Sequence, residues 1–352
     1  MSSYKVIGLM SGTSLDGVDM AACEFIFENN FWSYKILHCR THPYENDWKA
    51  RLANLQNASA LEFALTNTEY GHYLGKLARD FIRDSEFMPD FIASHGHTIF
   101  HQPDKGLTVQ IGSGSAIAAE TGFPVVCDFR SLDVALNGQG APLVPIGDRI
   151  LFSEYDACLN LGGFANISLE LDHNRIAFDI CPVNIVLNKL AGQLGLNYDP
   201  DGLYASKGSV NLRLLSSLNE LPYYFKIHPK SLGREWLENV FLPIFEDYQL
   251  PVEDLLATVC EHIAIQINRS LEGKPDSKVL VTGGGSKNKF LMAKIDDKGN
   301  NTWIVPEEEL NDFKEALIFA FLAVLRWRNE NNILKSVTGS VKDQKGGAIY
   351  LI

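Results

Sequence analysis

Two stretches of the same pattern, one at the start of each half of the chain, constrain the fold more than any other feature of this sequence. Residues 4–27 have the pattern of a strand, a polar turn rich in glycine and hydroxyl groups, and a second strand. Residues 157–171, ACLNLGGFANISLEL, repeat that order, with Gly162, Gly163 and Asn166 in the turn. The pattern predicts two similar domains, each opening with a hairpin whose tip faces a shared cleft.

The remaining pattern alternates strands with helices, which is typical of an α/β protein. Further strands are predicted at 33–40, 91–94, 107–111, 125–129, 175–180 and in KVLVTGG from 278. Helices are predicted at 46–56, 59–86, 115–121 and 183–195, and near 208–219, 233–247, 252–272 and 312–330. The Gly/Pro-rich stretch 137–147 is a candidate boundary or hinge. We therefore expect domains at 1–145 and 146–352.

Length and charge limit the classes of function. The 352 residues, 46% of them hydrophobic, suffice for two domains with sizeable cores. A formal charge of −12 argues against nucleic-acid or anionic-membrane partners, but not against a phosphorylated ligand. No signal peptide or apolar run of transmembrane length is visible, and the six cysteines are scattered without a CxxC pair. These features predict a cytoplasmic protein with reduced thiols.

The first polar turn offers the groups that bind an anion. Gly12 and Gly17 permit close approach of the backbone, and Thr13 and Ser14 supply hydroxyl donors. Asp16 would repel a bare phosphate, so its presence predicts Mg²⁺ between the carboxylate and the phosphate. The alternative is an ordinary hairpin tip with residues chosen for turn chemistry. A Walker A pattern is absent from the stretch.

A second glycine-rich junction follows the strand from 278. Gly283, Gly284 and Gly285 lead into a helix that carries Asn288. Three glycines at a strand-to-helix junction allow a flat ligand to lie on the backbone, whereas one would serve a tight turn. A ligand contact is therefore the favoured interpretation.

Together these features resemble the two-domain actin-like (ribonuclease H-like) sugar kinase fold with an interdomain active-site cleft. The motif series is similar to that of the anhydro-N-acetylmuramic acid kinase family, in the same order and from residue 7 to about 340. The matching stretches are MSGTSLDGVD, SHGHTIFHQP, the block from VQIGSG to GQGAPLVP, NLGGFANIS, FDICPVN, PKSLGRE, VTGGGSKN and SVTG. The resemblance implies an enzyme that uses ATP, Mg²⁺ and water to open the 1,6-anhydro bridge of its sugar. The product is N-acetylmuramic acid 6-phosphate, in peptidoglycan recycling.

The resemblance also implies residue roles. Asp179 is the expected catalytic base, and Asp16 the expected Mg²⁺ contact. Expected ATP contacts are Gly12, Thr13, Ser14, Leu15, Asp16, Gly17, Val18, Asp19, Gly283, Gly284, Gly285 and Asn288. Expected substrate contacts are His95, His97, Arg130, Asn184 and Glu315. The family further implies a homodimer.

Several of these residues have plainer interpretations. Asp179 could cap the following helix, Glu315 could be a solvated helix residue, and Asp19 could be a structural residue of the hairpin. Arg130 could pair with Asp128 or Asp133. A zinc site at His95, His97 and His101 is disfavoured, because the family motif has glutamine in place of His97.

Three stretches depart from the family pattern. FDICPVN replaces FDTGPGN, so Ile180, Cys181 and Val183 stand in place of a threonine and two glycines. Ser113 stands in place of an aspartate, and Asn137 in place of a glycine. These changes keep open a kinase for another sugar and a non-catalytic sugar sensor.

A nicotinamide-dependent oxidoreductase is a further alternative. Gly112, Gly114 and Asp128 imitate part of a dinucleotide fingerprint, but Ile117 occupies the position of its third glycine.

Overall fold

A computed structural model describes residues 1–12 and 14–352. Its strands are β1 Ser2–Ser11, β2 Gly17–Glu28, β3 Phe31–Pro43, β4 Phe91–Gln102, β5 Leu107–Ile111, β6 Val125–Cys127, β7 Ala157–Leu161, β8 Phe164–Leu171, β9 Asn174–Pro182, β10 Lys278–Thr282, β11 Thr302–Ile304 and β12 Ala348–Tyr350. Its helices are α1 Asn46–Asn54, α2 Ala60–Ser85, α3 Gly114–Thr121, α4 Ser131–Ala135, α5 Val144–Leu151, α6 Asn184–Ala191, α7 Leu212–Asn219, α8 Arg234–Trp236, α9 Val252–Arg269, α10 Lys289–Asp296, α11 Glu308–Trp327 and α12 Lys335–Thr338.

The first sheet is built around the N-terminal hairpin. β1 and β2 pair antiparallel up to Met10 and Asp19, and β2 continues antiparallel into β3. β4 then returns parallel to β1, and β6 lies parallel to β4. β5 pairs with β4, and β12 pairs with β6. The order β3-β2-β1-β4-β6 thus runs through the sheet.

The second sheet repeats this arrangement. β7, β8 and β9 pair antiparallel in sequence, β10 lies parallel to β7, and β11 lies parallel to β10. Its order, β9-β8-β7-β10-β11, is that of the first sheet with each strand replaced by its counterpart. Each hairpin of the repeated pattern, β1–β2 or β7–β8, therefore lies inside its sheet, and the edge beside it is formed by β3 or β9. This repeat of one α/β topology agrees with the predicted actin-like fold.

The described chain forms two compact units, and their limits differ from the predicted domains. One unit contains Met1–Phe152 and Phe313–Ile352, and the other contains Ser153–Asp312. Aromatic packing holds the C-terminal segment in the first unit, because Phe321 of α11 packs against Phe25 and Trp32. The expected second domain, 146–352, therefore loses its last forty residues to the first unit. The candidate hinge 137–147 lies within the first unit, and α5 begins inside it.

Local chemistry explains the elements whose limits differ from prediction. The predicted helix 233–247 divides into α8, a π turn at Leu237–Phe241 and a 3₁₀ turn at Leu242–Asp247. Pro243, which has no backbone N–H, lies at that last change. The predicted strand 125–129 ends at Cys127, because Asp128 adopts a left-handed φ of 55°. The helix predicted near 208–219 begins at Leu212, where Asn211 caps it.

Two further observations concern the chain as a whole. Within residues 1–12 and 14–352, no helix combines the length and apolar character needed to cross a bilayer. All six cysteines are free thiols, and five of them are buried. The scattered cysteines of the sequence are thus single thiols in the fold.

Candidate active site

The β1–β2 turn presents polar groups to solvent, and buried residues of the first unit lie beneath it. Ser14 and Asp16 are exposed, and the N–H of Leu15 donates to the carbonyl of Gly12 at 3.4 Å. A Cβ on Gly12 would meet no atom nearer than Ser14 Oγ at 3.6 Å, so space lies over this residue. The predicted contact Thr13 lies outside the described residues. The described part of the turn is open enough to receive a ligand.

Two predicted ATP contacts in this hairpin have a packing role. A Cβ on Gly17 would lie 2.3 Å from the carbonyl oxygen of His42, so β3 requires glycine there. Val18 is fully buried in the core of the first unit. These two residues can offer a ligand backbone groups only. Asp19 is half-buried, and its Oδ1 accepts a hydrogen bond from Thr41 Oγ1 at 2.6 Å.

A chain of buried hydroxyls supports the start of the turn. Ser11 Oγ lies 2.6 Å from Tyr44 Oη and 2.8 Å from His97 Nδ1, and Tyr44 Oη also contacts Tyr70 Oη. Burial lowers the pKa of His97 to about 4, so its ring is neutral at neutral pH. The structure therefore places His97 beneath the turn as a partner of Ser11. Sequence reasoning did not single out Ser11 as a support or Tyr44 at all, because their pairing joins residues 33 positions apart.

His95 and Arg130 form a second polar pair in the first unit. Nε and Nη2 of Arg130 donate to His95 Nε2 at 3.1 and 2.9 Å, and Nη1 donates to the carbonyl of Gly140 at 2.6 Å. Neither Asp128 nor Asp133 accepts a hydrogen bond from this guanidinium in the described chain. Burial lowers the pKa of Arg130 to about 10, whereas the charges of Glu315 and Asp133 oppose that shift. The hydrogen-bond partners of Arg130 are therefore a histidine ring and a backbone carbonyl, and the predicted alternative of an ion pair with Asp128 or Asp133 is not observed among the described residues.

Asp133, which the sequence presented only as a possible partner of Arg130, organises the glycine-rich loop. Its buried carboxylate accepts from Gly140 N at 2.6 Å and Thr338 Oγ1 at 2.7 Å, and also from Gln344 Nε2. A Cβ on Gly138 would lie 2.1 Å from Oδ2 of Asp133. One carboxylate thus joins the loop that contacts Arg130 to the C-terminal segment. A polar residue between apolar neighbours in SLDVAL was the only sequence signal for this role.

Glu315 lies among four charged residues of the first unit. Desolvation by the surrounding protein raises its pKa, Arg130 and Lys314 lower it, and Asp19 and Asp148 raise it. Its side chain nevertheless keeps solvent exposure, as a ligand contact requires. Lys314 and Asp148 form a buried ion pair at 2.7 Å that the sequence did not reveal. Glu315, Arg130 and Asp19 are therefore brought into one electrostatic neighbourhood.

In the second unit, Asp179 is held by the backbone of a neighbouring segment. Leu232 N donates to Asp179 Oδ2 at 2.8 Å, and Asp179 N donates to the carbonyl of Lys230 at 3.2 Å. The described chain supplies no hydrogen bond to Oδ1. Burial raises the pKa of Asp179, against the opposing effect of the Leu232 N–H. The carboxylate does not cap α6, whose N-cap is Val183 without a side-chain bond.

Asn184 and the glycine-rich junction lie together in the second unit. Asn184 Nδ2 donates to the carbonyl of Leu161 at 2.9 Å. Cβ atoms on Gly283 and Gly285 would collide with Asn160 or Leu161 at 2.5 and 2.8 Å. At Gly284 the nearest atom would be Asn184 Nδ2 at 3.6 Å. Packing thus explains two of the three glycines, and only Gly284 has open space.

Asn288 has a local structural role. Its Oδ1 accepts from Leu291 N at 3.0 Å and caps α10. The predicted ATP contact at this position therefore coincides with a helix cap, so the helix N-terminus is at the junction as expected.

The departures from the family pattern fall on core and turn positions. Ile180, Cys181 and Val183 are buried in the core of the second unit. Ser113 caps α3 by accepting from Ala116 N, and its hydroxyl lies 2.8 Å from Ser115 Oγ. Asn137 has a left-handed φ of 62°, a conformation that asparagine adopts more readily than most residues. Each departure thus has a local packing or backbone explanation.

The described residues contain no group of three or more His, Cys, Asp or Glu side chains arranged to hold a metal ion. His101 Nδ1 lies 3.1 Å from Thr108 Oγ1, while His95 and His97 have the partners given above. The three histidines thus have separate hydrogen-bond partners.

Known proteins are similar to this sequence over nearly the whole chain. The family model for anhydro-N-acetylmuramic acid kinase matches residues 4–352. Proteins of that name are similar over nearly their whole length. The protein from Sulfurimonas denitrificans is 33% identical, with 98% of each chain covered. The Vibrio cholerae protein is 35% identical over 98% of this chain and 97% of its own. The Pseudomonas syringae pv. syringae protein is 34% identical over 99% of both.

Proposed function

Because the chain belongs to the anhydro-N-acetylmuramic acid kinase family, we propose that it opens the 1,6-anhydro bridge of that sugar with water and phosphorylates O6 with ATP. The products are N-acetylmuramic acid 6-phosphate and ADP. The match over residues 4–352 carries the proposal. Since the relatives share one kinase name, neither a kinase for another sugar, nor a non-catalytic sensor, nor an oxidoreductase is favoured.

Asp179 is the proposed base. A water molecule attacks the anomeric carbon, the bond from that carbon to O6 breaks, and O6 takes the γ-phosphoryl group. The proton of the water passes to the carboxylate, and Oδ1, which has no hydrogen bond in the described chain, is the atom we assign to receive it. The Leu232 N–H holds Oδ2 and so fixes the orientation of the group. A raised pKa makes the ionised carboxylate a better proton acceptor than an ordinary aspartate.

The β1–β2 turn is the proposed site of the ATP phosphates. Backbone N–H groups, the Ser14 hydroxyl and the open space over Gly12 support this assignment. The exposed Asp16 and half-buried Asp19 are carboxylates on one hairpin, a donor set that suits Mg²⁺ completed by water and phosphate oxygens. Bound Mg²⁺ would neutralise phosphate charge during transfer. The open Gly284 beside Asn184 is the proposed adenosine-side contact.

Arg130 and Glu315 are the proposed sugar contacts of the first unit. Glu315 is exposed, and its carboxylate can accept hydrogen bonds from sugar hydroxyls. His95 orients Arg130, whereas His97 acts through Ser11 beneath the turn. We further propose that the protein is cytoplasmic and that it forms a homodimer. Light scattering of the purified chain would test the homodimer.

Mass spectrometry after incubation with the anhydro sugar, ATP and Mg²⁺ in ¹⁸O-labelled water tests the proposal. We expect enzyme-dependent 6-phosphate with label at the anomeric hydroxyl. Unlabelled 6-phosphate would reject water attack at the anomeric carbon. Absence of product with intact ATP binding would reject this sugar as the substrate, and a panel of amino sugars would follow.

A further inference from the structure

A cavity of about 430 Å³ lies in the second unit, on the face of β9 away from the Asp179 side chain. Ile176 and Phe178 of β9 line it, and side chains alternate between the faces of a strand. The helix α9 forms one wall through Gln266 and Arg269. The segment Lys226–Lys230 forms another wall. The cavity therefore shares a strand with the proposed base but has a separate set of lining side chains.

The lining combines an apolar floor with a positively charged rim. Leu169, Ile176, Phe178 and Ile180 form the floor. The rim carries Lys226, Lys230, Arg269 and Lys274, whereas Glu272 is its one carboxylate. The chain as a whole carries a net charge of −12, so this rim has the opposite sign to the rest of the molecule.

Three of these cations have no carboxylate partner in the described chain. Lys226, Lys230 and Arg269 make no ion pair there, whereas Lys274 Nζ donates to the carbonyl of Glu170. The Lys230 ammonium lies 5.7 Å from the ring centre of Phe178 and 4.9 Å from that of Tyr223. An unpaired ammonium above an apolar floor gains most from a ligand that brings both a negative charge and an apolar body.

We propose that this cavity binds a small organic anion with an aromatic or aliphatic body. The anionic group pairs with Lys226, Lys230 and Arg269, and the body covers Ile176 and Phe178. The volume suits a ligand of roughly drug size, for which pockets of about 300–1,000 Å³ are usual.

The same cavity wall contacts Asp179. The Lys230 carbonyl accepts from Asp179 N, and Leu232 N donates to Asp179 Oδ2. A ligand that orders residues 226–232 therefore orders the donor that orients the carboxylate. This regulatory consequence rests on the proposed function of Asp179, whereas the binding site does not.

Fluorescence titration with anilinonaphthalene sulfonate tests the site, and neutral N-phenylnaphthylamine provides the comparison. We expect the sulfonate to bind about tenfold or more tightly than the neutral probe. The double variant Lys226→Gln/Arg269→Gln should remove that preference. Lys207→Gln/Arg213→Gln, exposed residues of the same unit, is the matched control and should retain it. Equal binding of the two probes, or equal loss in both variants, would overturn the proposal.

Two further measurements cover a variant that fails to fold and separate binding from activity. Leu171→Glu places a negative charge at the partly exposed edge of the cavity and should weaken the sulfonate alone. Hydrogen exchange at the amides of Asp179 and Leu232 should slow when the sulfonate binds. Unchanged exchange would reject the link to Asp179, even if product formation confirms the kinase. Sulfonate fluorescence that rises only on dilution would assign this face to a second copy of the chain and overturn the small-ligand site.

Discussion

The guanidinium of Arg130 donates two hydrogen bonds to one atom, Nε2 of His95. Because guanidinium has no acceptor, Nε2 must carry the lone pair, and Nδ1–H then donates to the carbonyl of Gly96 at 2.9 Å. Burial first, and the charge of Arg130 second, keep the pKa of His95 well below its ordinary value. His95 is therefore a neutral ring of fixed tautomer that orients Arg130.

This geometry predicts that Arg130→Lys is a damaging substitution. An ammonium cannot reproduce the fork that reaches both His95 and the Gly140 carbonyl. Loss of roughly 1.5–3 kcal/mol of charged hydrogen bonding corresponds to a fall in kcat/KM for the sugar of about 10- to 100-fold. Steady-state kinetics should show the change for the sugar, with the KM for ATP nearly constant. Arg79→Lys, at an exposed pair with Glu120, is the control. An equal rise in the KM for ATP would argue against a sugar-side role.

The buried tyrosines give a paired prediction on stability. Tyr44→Phe removes the hydroxyl that joins Ser11 to Tyr70 and should lower the free energy of unfolding by about 1–2 kcal/mol. Tyr73→Phe should be neutral or stabilising, because the buried Tyr73 hydroxyl has no hydrogen-bond partner in the described chain. Urea unfolding of both variants measures the difference. Equal destabilisation would show that the hydroxyl chain contributes nothing specific.

Replacement of the buried Asp133 should be among the substitutions in the first unit that lower the free energy of unfolding most. Asp133→Ala removes the acceptor of Gly140 N, and it leaves Thr338 Oγ1 and Gln344 Nε2 with longer contacts such as those to Ser340 Oγ, at 3.2 and 3.3 Å. At about 1–2 kcal/mol for each of the three donors, the expected loss of unfolding free energy is on the order of 3–6 kcal/mol. Thermal and urea unfolding measure it, with the exposed Asp104→Ala as control. A loss of unfolding free energy no larger than that of Asp104→Ala would contradict the role of Asp133 in joining the glycine-rich loop to the C-terminal segment.

The hairpin pattern was sufficient to predict the repeated sheets. Strand alternation and glycine-rich turns are local signals, so 4–27 and 157–171 predicted β1–β2 and β7–β8. The placement of 313–352 could not be predicted in this way. It depends on contacts such as Phe25 with Phe321, which no local pattern records.

The sequence predicted which residues belong to the candidate site, but it did not predict the structural role of each residue. Glycines signal either ligand approach or packing, and the sequence cannot separate the two: Gly12 is open, whereas Gly17 is forced by His42. Asn288, a predicted ATP contact, caps α10, and the sequence could not reveal this second role because caps and ligand contacts favour the same residue type. Asp133 was missed as an organiser, because its partners Thr338 and Gln344 lie more than two hundred positions away.

Replacement of the proposed base has a sharp expected outcome. Asp179→Asn keeps an oxygen that can accept from Leu232 N, so the fold and ATP binding should persist. Loss of the proton acceptor should lower kcat by about 10²- to 10⁴-fold. Asp172→Asn, the same chemical change at an exposed turn of the same unit, should leave kcat unchanged. Single-turnover assays with calorimetry of ATP binding measure both quantities, and full turnover in Asp179→Asn would reject the assignment.

The raised pKa of Asp179 predicts how pH affects both turnover and stability. The base must be ionised, so kcat/KM should fall, as pH decreases, at a pH above the ordinary aspartate pKa of about 3.9. The folded state holds this proton more tightly than the unfolded state, so stability falls as pH rises from the unfolded to the folded pKa. The asparagine of Asp179→Asn does not ionise, so this loss of stability with rising pH is absent in the variant. The variant should be more stable than the wild type at neutral pH and equally stable in acid. Thermal unfolding from about pH 4 to about pH 8 tests this, with Asp172→Asn as reference. A variant without a gain at neutral pH would show that burial of the carboxylate carries no penalty.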